Sequence, residues 1–530
     1  MLGEIARGAA HRFGDRAVLV TPTDRLTYAE LDRHADRVAS GLQQQGLRPG
    51  DVVAAVVPSG VEWMVLAVAI DRARLVLATV SPKLAAPERS ALVQVARPAL
   101  VVADAGLVDG LPLRARVAVV GVGSRCEELA VDASPVTSAA GGDGDGERVT
   151  TICFTSGTTG RAKGAVFRVR HQRAVQALDL GEGAEDRWDG GSPMLASTQF
   201  AHVGMALKLP WYLRLGATLH VLDPWRADDA LQAIADHRMP TIGVVAPQLA
   251  LMLRSPLLDA LDLSAVSTII AGGAASPPAL VREARERFAA AYSIRYSSTE
   301  SGGVGLGTAF DAPDEEALVT IGRPRPGIKA RVVDEDGVEV RGGEVGELQL
   351  RSPAVMDGYW NDPGATAAAL TDDRWLRTGD LARIDGAGCF VLSGRRTEMY
   401  IRGGYNVFPI EVEAALADHP GVVAVAVAPR PDDVMGEIGV AVVVPADPSN
   451  PPTLRSLRDH AGDRLARHKL PEAVVVTDRI PLTTVSKIDR TALAALARPT
   501  GTTGPTGTTG PTGGAGAEPA PEEGEPHRDR

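Results

Sequence analysis

Residues 155–164 read TSGTTGRAKG, and they follow 149–154, VTTICF, a β-rich run of strand length. A strand that opens into a loop dense in glycine and hydroxyl, with one lysine, has the makings of a phosphate cradle. Gly157 and Gly160 let successive backbone N–H groups converge on an anion. Thr155, Ser156, Thr158 and Thr159 add hydroxyl donors, and Lys163 adds a point charge. The G-x4-G-K-[ST] spacing of a Walker loop is absent. A plain flexible Gly/Thr turn has the same composition, so the loop alone leaves both readings open.

Upstream of the loop, Thr27-x-x-Glu30 reads as a capping box, after which Leu31, Ala35, Val38 and Leu42 share one helical face. A continuous apolar run at 52–57 has strand length, a Pro-Ser-Gly turn at 58–60 follows, and a second helical stretch starts at Val61. The alternation recurs toward 100–102, which predicts α/β layers with buried sheets. Residues 139–146, AAGGDGDG, read as an acidic surface loop. Beyond 394 the pattern shortens: a helix near 411–417, strands at 422–427 and 440–444, a helix near 454–467 and a strand at 473–477. That is a small α+β unit. The final residues repeat Gly, Thr and Pro without aliphatic core formers and predict a disordered tail over 498–530.

At 530 residues the chain is long enough for two or three globular units, and its 45% hydrophobic and 23% charged residues suit a packed protein. The formal net charge of −11 gives no general attraction to a nucleic acid backbone. Cys126, Cys153 and Cys389 are few and far apart, with no CxxC pair, so neither a disulfide framework nor a zinc site is expected. The N-terminus lacks the apolar stretch of a signal peptide, and apolar runs such as 63–70 are too short to span a membrane. The expectation is a cytoplasmic protein.

The loop residues themselves go further than their spacing. TSGTTGRAKG closely resembles the signature loop of the adenylate-forming superfamily, which includes acyl-CoA ligases, peptide-synthetase adenylation domains and luciferases. Further segments resemble that family in its order. Gly272-Gly273-Ala274 looks like the segment that passes the adenine. Tyr296-Ser297-Ser298-Thr299-Glu300 stands where the family has Tyr-Gly-x-Thr-Glu, which implies Thr299 on the AMP phosphate and Glu300 on Mg²⁺; a carboxylate suits magnesium's demand for hard oxygen. Arg377-Thr-Gly-Asp380 resembles the family's Thr-Gly-Asp, with Asp380 accepting from the ribose hydroxyls. Gly394-Arg395 is similar to the Gly-Arg at the domain junction, with Arg395 near the ribose and phosphate. Arg402-Gly403-Gly404-Tyr405-Asn-Val-Phe-Pro-Ile-Glu-Val-Glu413 resembles the segment beyond the junction that helps shape the pantetheine tunnel of acyl-CoA ligases. Ile480-Pro-Leu-Thr-Thr-Val-Ser-Lys487-Ile-Asp-Arg490 resembles the C-terminal lysine motif, and Lys487 would bridge the carboxylate and the α-phosphate.

The resemblance covers residues 1–497. It implies an N-terminal AMP-binding domain over 1–393, layered from sheets and helices, a hinge at 394–397 that pivots on Thr397, and a mobile α+β domain over 398–497. ATP, Mg²⁺ and coenzyme A are the implied cofactors, with Lys487, Thr299, Glu300 and Lys163 catalytic. The Phe-x-His region and the stretch after Glu300 imply an acyl pocket of Phe200, His202, Val203, Gly204, Gly302 and Gly303. No aspartate stands near Phe200 to pair an α-amine, so an amine-free carboxylic acid is expected. Three positions depart from the family pattern: Ser297 for glycine, Ala162 for proline, and Thr397 for the common Asp or Lys. The departures keep a second reading open, a CoA ligase with weakened adenylation that takes acyl-AMP from a separate adenylating enzyme. A stand-alone enzyme loading a carrier protein, a luciferase-like oxygenase and a non-catalytic binding protein are the further alternatives.

Overall fold

The computed structural model describes residues 1–112, 116–131, 143–155, 162–181, 183, 187–273, 276–483 and 487–498. The Gly/Thr/Pro-rich tail from 499 onward therefore lies outside the described residues.

Local chemistry sets the first elements. The helix Tyr28–Gln44 opens on Thr27, whose Oγ1 accepts from the Glu30 N–H at 3.1 Å while the Glu30 carboxylate accepts from the Thr27 N–H at 2.9 Å. Leu31, Ala35, Val38 and Leu42, one face of that helix, are fully buried. Next come the strand Val52–Val56 and the helix Val61–Arg72, every residue of which is buried. An all-round apolar helix belongs inside a large protein.

These elements feed a six-stranded sheet in the order Val117–Val120, Leu100–Asp104, Val52–Val56, Val76–Thr79, Val149–Thr155, Lys163–Arg168. All neighbours are parallel except the last pair, which is antiparallel with Thr155 opposite Lys163. A second sheet holds Thr241–Val244, Thr268–Gly272 and Ala291–Tyr296 in parallel, with Leu306–Gly307 and Arg323–Pro324 antiparallel at its edge. An antiparallel sheet follows, Lys329–Val333, Gly346–Arg351, Leu376–Ile384 and Phe390–Arg395. One large apolar cluster runs from Leu2 to Phe390 and unites these layers into a large N-terminal domain.

The small C-terminal domain has its own apolar clusters, around Tyr400, Val412, Val443 and Leu457 on one face of its sheet and Ala426, Val442 and Leu493 on the other. Its sheet is built on the hairpin Val422–Asp432 and Gly436–Pro445, flanked by Tyr400–Arg402 and, in parallel, Ala473–Val476. Two sequence expectations need correction here. The strands run well past 427 and begin before 440, because Asp432 Oδ1 accepts from the Val434 and Met435 N–H groups and closes a tight turn that prolongs the hairpin. The helix expected to 467 ends at Ala461, where the Arg464 and Leu465 N–H groups both turn back onto the Ala461 carbonyl.

The acidic stretch at 139–146 is described only from 143. There Asp143–Glu147 forms a 3-10 turn and Asp145 is held by Arg74 at 3.0 Å and Arg148 at 3.1 Å, so this end is an ion-paired tether rather than a free loop. Cys126, Cys153 and Cys389 are buried and unpaired with one another. Among the described residues no helix is long and apolar enough to cross a membrane.

Candidate active site

The loop following Val149–Thr155 is positioned by a parallel strand end, the place where open α/β sheets bind ligands. Of its residues, Ser156, Gly157, Thr158, Thr159 and Gly160 lie outside the described residues. Thr155 and Lys163 frame it from opposite strands. Lys163 Nζ lies 5.2 Å from the centre of the Tyr359 ring, and the Tyr359 hydroxyl donates to Glu300 Oε1 at 2.8 Å. Burial, then the Glu300 charge, push the Tyr359 phenol far above its ordinary range, so it stays a donor.

Glu300 belongs to a compact curl. The Ser298 N–H donates to Ser301 Oγ at 2.9 Å and the Ser301 N–H to Ser298 Oγ at 3.1 Å; Gly302 N–H reaches the Thr299 carbonyl at 3.0 Å and Gly303 N–H the Ser298 carbonyl at 3.1 Å. Gly302 and Gly303 adopt φ of +75° and +74°, the left-handed region that a side chain strains. Directly before the curl, the strand Ala291–Tyr296 delivers the Tyr296 hydroxyl to Asp380 Oδ2 at 2.5 Å, with Ser297 just beyond it. Burial and the Asp380 charge raise the Tyr296 phenol well above its usual value.

Asp380 and Arg395 face each other in register on adjacent antiparallel strands, and Arg395 Nε donates to Asp380 Oδ1 at 2.9 Å. Thus Tyr296, Asp380 and Arg395 form one connected group. Gly272 ends its strand opposite Arg295, where a Cβ would stand 3.0 Å from the Arg295 carbonyl oxygen, and Gly273 follows at φ +78°. Ala274 lies outside the described residues.

Of the residues implied for an acyl pocket, only some are brought together. A Cβ at Gly303 would meet Val203 Cγ1 at 3.5 Å and Gly204 Cα at 3.8 Å, so these three adjoin; one at Gly302 would meet the Ala354 carbonyl oxygen at 2.5 Å. Phe200 is fully buried against Trp63, with ring centres 5.3 Å apart. His202 precedes the short helix Val203–Ala206, and its Nε2 is buried without a hydrogen bond among the described residues. Burial, and secondarily the charge of Lys487, lower its pKa to about 4, so the ring is neutral near pH 7.

Lys487 comes from the small domain yet joins this group. Its side chain keeps some solvent access, but the protein crowding it and the like charge of Arg395 hold its ammonium below the ordinary lysine value, while Asp380, Glu300 and Glu398 pull the other way. A cation from one domain thus acts on carboxylates of the other. Thr397 lies in the intervening turn, where the Glu398 and Met399 N–H groups both donate to the Arg395 carbonyl at 3.1 Å.

The segment implied for coenzyme A is placed differently. Gly403 and Gly404 take φ of +55° and +86°, and the Gly403 N–H donates to the Met435 carbonyl at 2.8 Å. Arg402 Nε lies 3.1 Å from Glu472 Oε1, and Tyr405 stacks on His468 with ring centres 4.4 Å apart. These contacts all fall within the small domain. They border a surface cleft of about 410 Å³ that Arg458 and Arg467 also line.

None of the motifs above includes Tyr359. It stands 59 positions from the glutamate it binds, in a segment with no local signature. Among the described residues no group of three or more His, Cys, Asp or Glu could enclose a metal ion. Glu300 offers one carboxylate oxygen beyond the one bonded to Tyr359. That fits magnesium carried in on phosphates, which takes one or two protein carboxylates.

The family model described as AMP-binding enzyme matches residues 6–360, and that of the AMP-binding enzyme C-terminal domain matches 411–487. The chain belongs to the AMP-binding enzyme family. The C-terminal match ends on Lys487 itself. This AMP-binding enzyme is 32% identical over 486 residues to an indoleacetate–CoA ligase of Aromatoleum aromaticum, covering 88% of this chain and 92% of the relative. It is 34% identical over 477 residues to a feruloyl-CoA synthase of an Amycolatopsis species, covering 87% and 92%. Among solved structures it resembles ATP-bound MatB from Rhodopseudomonas palustris, with a TM-score of 0.82 and 27% identity over 93% of this chain and 99% of that one.

Proposed function

We propose that this AMP-binding enzyme is an AMP-forming acyl-CoA ligase. It joins an amine-free organic acid to coenzyme A through an acyl-AMP. The observation that carries this reading is the convergence of Lys487, from the small domain, with Glu300, Asp380, Arg395 and His202 of the large one. A ribose-binding carboxylate, a phosphate-side glutamate and a mobile-domain cation in one place suit a reaction between two anions.

In the first step a substrate carboxylate oxygen attacks the α-phosphorus of ATP, a P–O bond forms, and the bond to the β-phosphate breaks as pyrophosphate leaves with its electron pair. No nucleophilic side chain is needed. The protein's work is positioning and neutralising charge: Lys163 on the phosphate side, Lys487 between carboxylate and α-phosphate, and Asp380 on the ribose. Glu300 would hold a magnesium ion arriving with the nucleotide, which would offset phosphate charge. The neutral His202 ring adds no positive charge to the acyl side, and no aspartate follows Phe200 to pair an amine. In the second step the coenzyme A thiol sulfur attacks the acyl carbonyl, the bond to phosphate oxygen breaks, and AMP departs while the thiol proton is released.

Support for the acid class comes from the relatives, whose named acids, indoleacetate and the feruloyl group, carry no α-amino group. The Arg402–Tyr405 segment lies with its small-domain partners while Lys487 faces the large domain, an arrangement suited to the first step. We assign that segment to coenzyme A after rotation of the small domain.

Acid-dependent ATP–pyrophosphate exchange, run over a panel of acids, tests adenylation directly; exchange with any acid removes the reading in which acyl-AMP comes from another enzyme. Lys487→Ala is expected to abolish exchange and to spare thioester formation from supplied acyl-AMP. Equal loss of both steps would sink the assignment. Thiol consumption with coenzyme A against a carrier protein identifies the acceptor.

A further inference from the structure

Lys487 is bonded back to Thr483. Its carbonyl accepts from the Thr483 N–H at 2.7 Å, its own N–H donates to Thr483 Oγ1 at 3.3 Å, and Leu482 and Ile488 form an antiparallel bridge. The chain then enters the helix Arg490–Leu496, capped by Asp489, whose carboxylate accepts from the Thr491 and Ala492 N–H groups. The first residue of that helix makes an unusual set of contacts. Arg490 Nη1 donates to Glu413 Oε1 at 2.6 Å and to the Val427 carbonyl at 3.2 Å, while its Nε lies 3.1 Å from Glu398 Oε2. Glu413 Oε1 in turn accepts from the Val427 N–H at 2.8 Å.

We infer that Arg490 is a positioning residue for Lys487, a clasp that fastens the lysine loop to the segment directly after the hinge. The inference rests on the adenylation role proposed above for Lys487. Two physical arguments carry it. The first is reach: lysine has a flexible stem, and three residues of chain span roughly 10 Å, so a loop free at its outgoing end spreads the ammonium over many positions. Arg490 removes that freedom, because a planar guanidinium bonded to two carboxylates and a carbonyl has one orientation. The second argument is competition. Glu398 is among the carboxylates acting on Lys487, and in the native protein it is occupied by Arg490. Without the arginine, Glu398 is free to draw the ammonium away from Glu300 and Asp380. Glu398 also donates its N–H to the Arg395 carbonyl, so the clasp is continuous with the arginine that binds Asp380.

The test compares the wild type, Arg490→Gln, Arg490→Lys and the double variant Arg490→Gln/Glu398→Gln in both half-reactions, each checked by thermal melting. In Arg490→Gln, kcat for pyrophosphate exchange is expected to fall tenfold or more, the scale of a misplaced catalytic group, with KM for ATP and acid within about twofold. Thioester formation from supplied acyl-AMP should stay within about threefold of wild type. Arg490→Lys should retain an intermediate rate, and the double variant should recover part of the loss, since the competing carboxylate is gone. Exchange in Arg490→Gln equal to wild type would overturn the clasp, as would a parallel fall of both half-reactions with the melting temperature, which marks a purely structural residue. If Arg490→Gln does not fold, Arg490→Lys measured in the same two assays decides between the same outcomes. A wild type without exchange refutes the proposed function instead, so the two failures are distinguishable.

Discussion

Single residues carry the chemistry through their surroundings, and Lys487 is the plainest case. Its ammonium is held below the ordinary lysine value of 10.5, chiefly by desolvation from the protein crowding this exposed side chain and by Arg395. If the protonated form is the one that serves adenylation, exchange must decline as pH rises through that depressed value, earlier than an unperturbed lysine would allow. Stability behaves oppositely. Between the depressed pKa and the ordinary one the unfolded chain binds more protons at this site than the folded one, so this residue makes stability rise with pH there. A pH profile of exchange beside a pH series of melting temperatures therefore separates loss of the charge from loss of the fold. Activity falling only together with melting temperature would contradict the prediction. Most residues of this group, Lys163, Glu300, Asp380, Arg395 and Lys487, are legible in the sequence because each sits in a short motif. Tyr359 is not, and Arg490 shows only as the end of the lysine motif, because what each does is a contact across the chain, to Glu300 in one case and to Glu398 and Glu413 in the other.

At the level of elements, pattern and packing agree closely in the first helices. Thr27 and Glu30 form the capping box that their spacing predicts, and the Leu31, Ala35, Val38 and Leu42 face is the buried one. The same helix contains a requirement invisible in the pattern. Gly41 packs so near the Leu129 carbonyl that a Cβ there would stand 1.8 Å from its oxygen. Replacing glycine by alanine inside a helix ordinarily gains up to about 1 kcal/mol. Here overpacking against rigid backbone costs roughly 1–3 kcal/mol and outweighs that gain. Gly41→Ala should accordingly lower the denaturation midpoint, with the m-value unchanged; a midpoint raised as helix propensity alone predicts would show that the two segments can part cheaply. Elements with weak periodicity were less legible, as in the helix that ends at Ala461 and the hairpin prolonged by the Asp432 turn.

The whole molecule joins two domains through a short turn, and its proposed reaction needs both of them in two arrangements. Thr397 lies in that turn, between Arg395, which binds Asp380, and Glu398, which binds Arg490. Proline at 397 fixes its own φ and restricts the residue before it, which stiffens the pivot. Thr397→Pro is expected to slow thioester formation more than tenfold while leaving pyrophosphate exchange within about threefold, if rotation serves only the second step. Single-turnover measurements of each half-reaction check this, and equal slowing of both would reject Thr397 as the pivot. By itself the sequence determined the family and the motif residues, through the resemblance of its short segments, and the layered α/β class and small α+β unit, because these last depend on composition, periodicity and short-range order. Only the tertiary structure decided which residues meet. It buried Phe200 against Trp63, brought Gly303 against Val203 and Gly204, and brought Lys487 within electrostatic reach of Glu300 and Asp380, carboxylates more than a hundred positions away. Such meetings follow from how sheets and domains pack, and packing is settled by the sum of many distant apolar contacts rather than by any one segment.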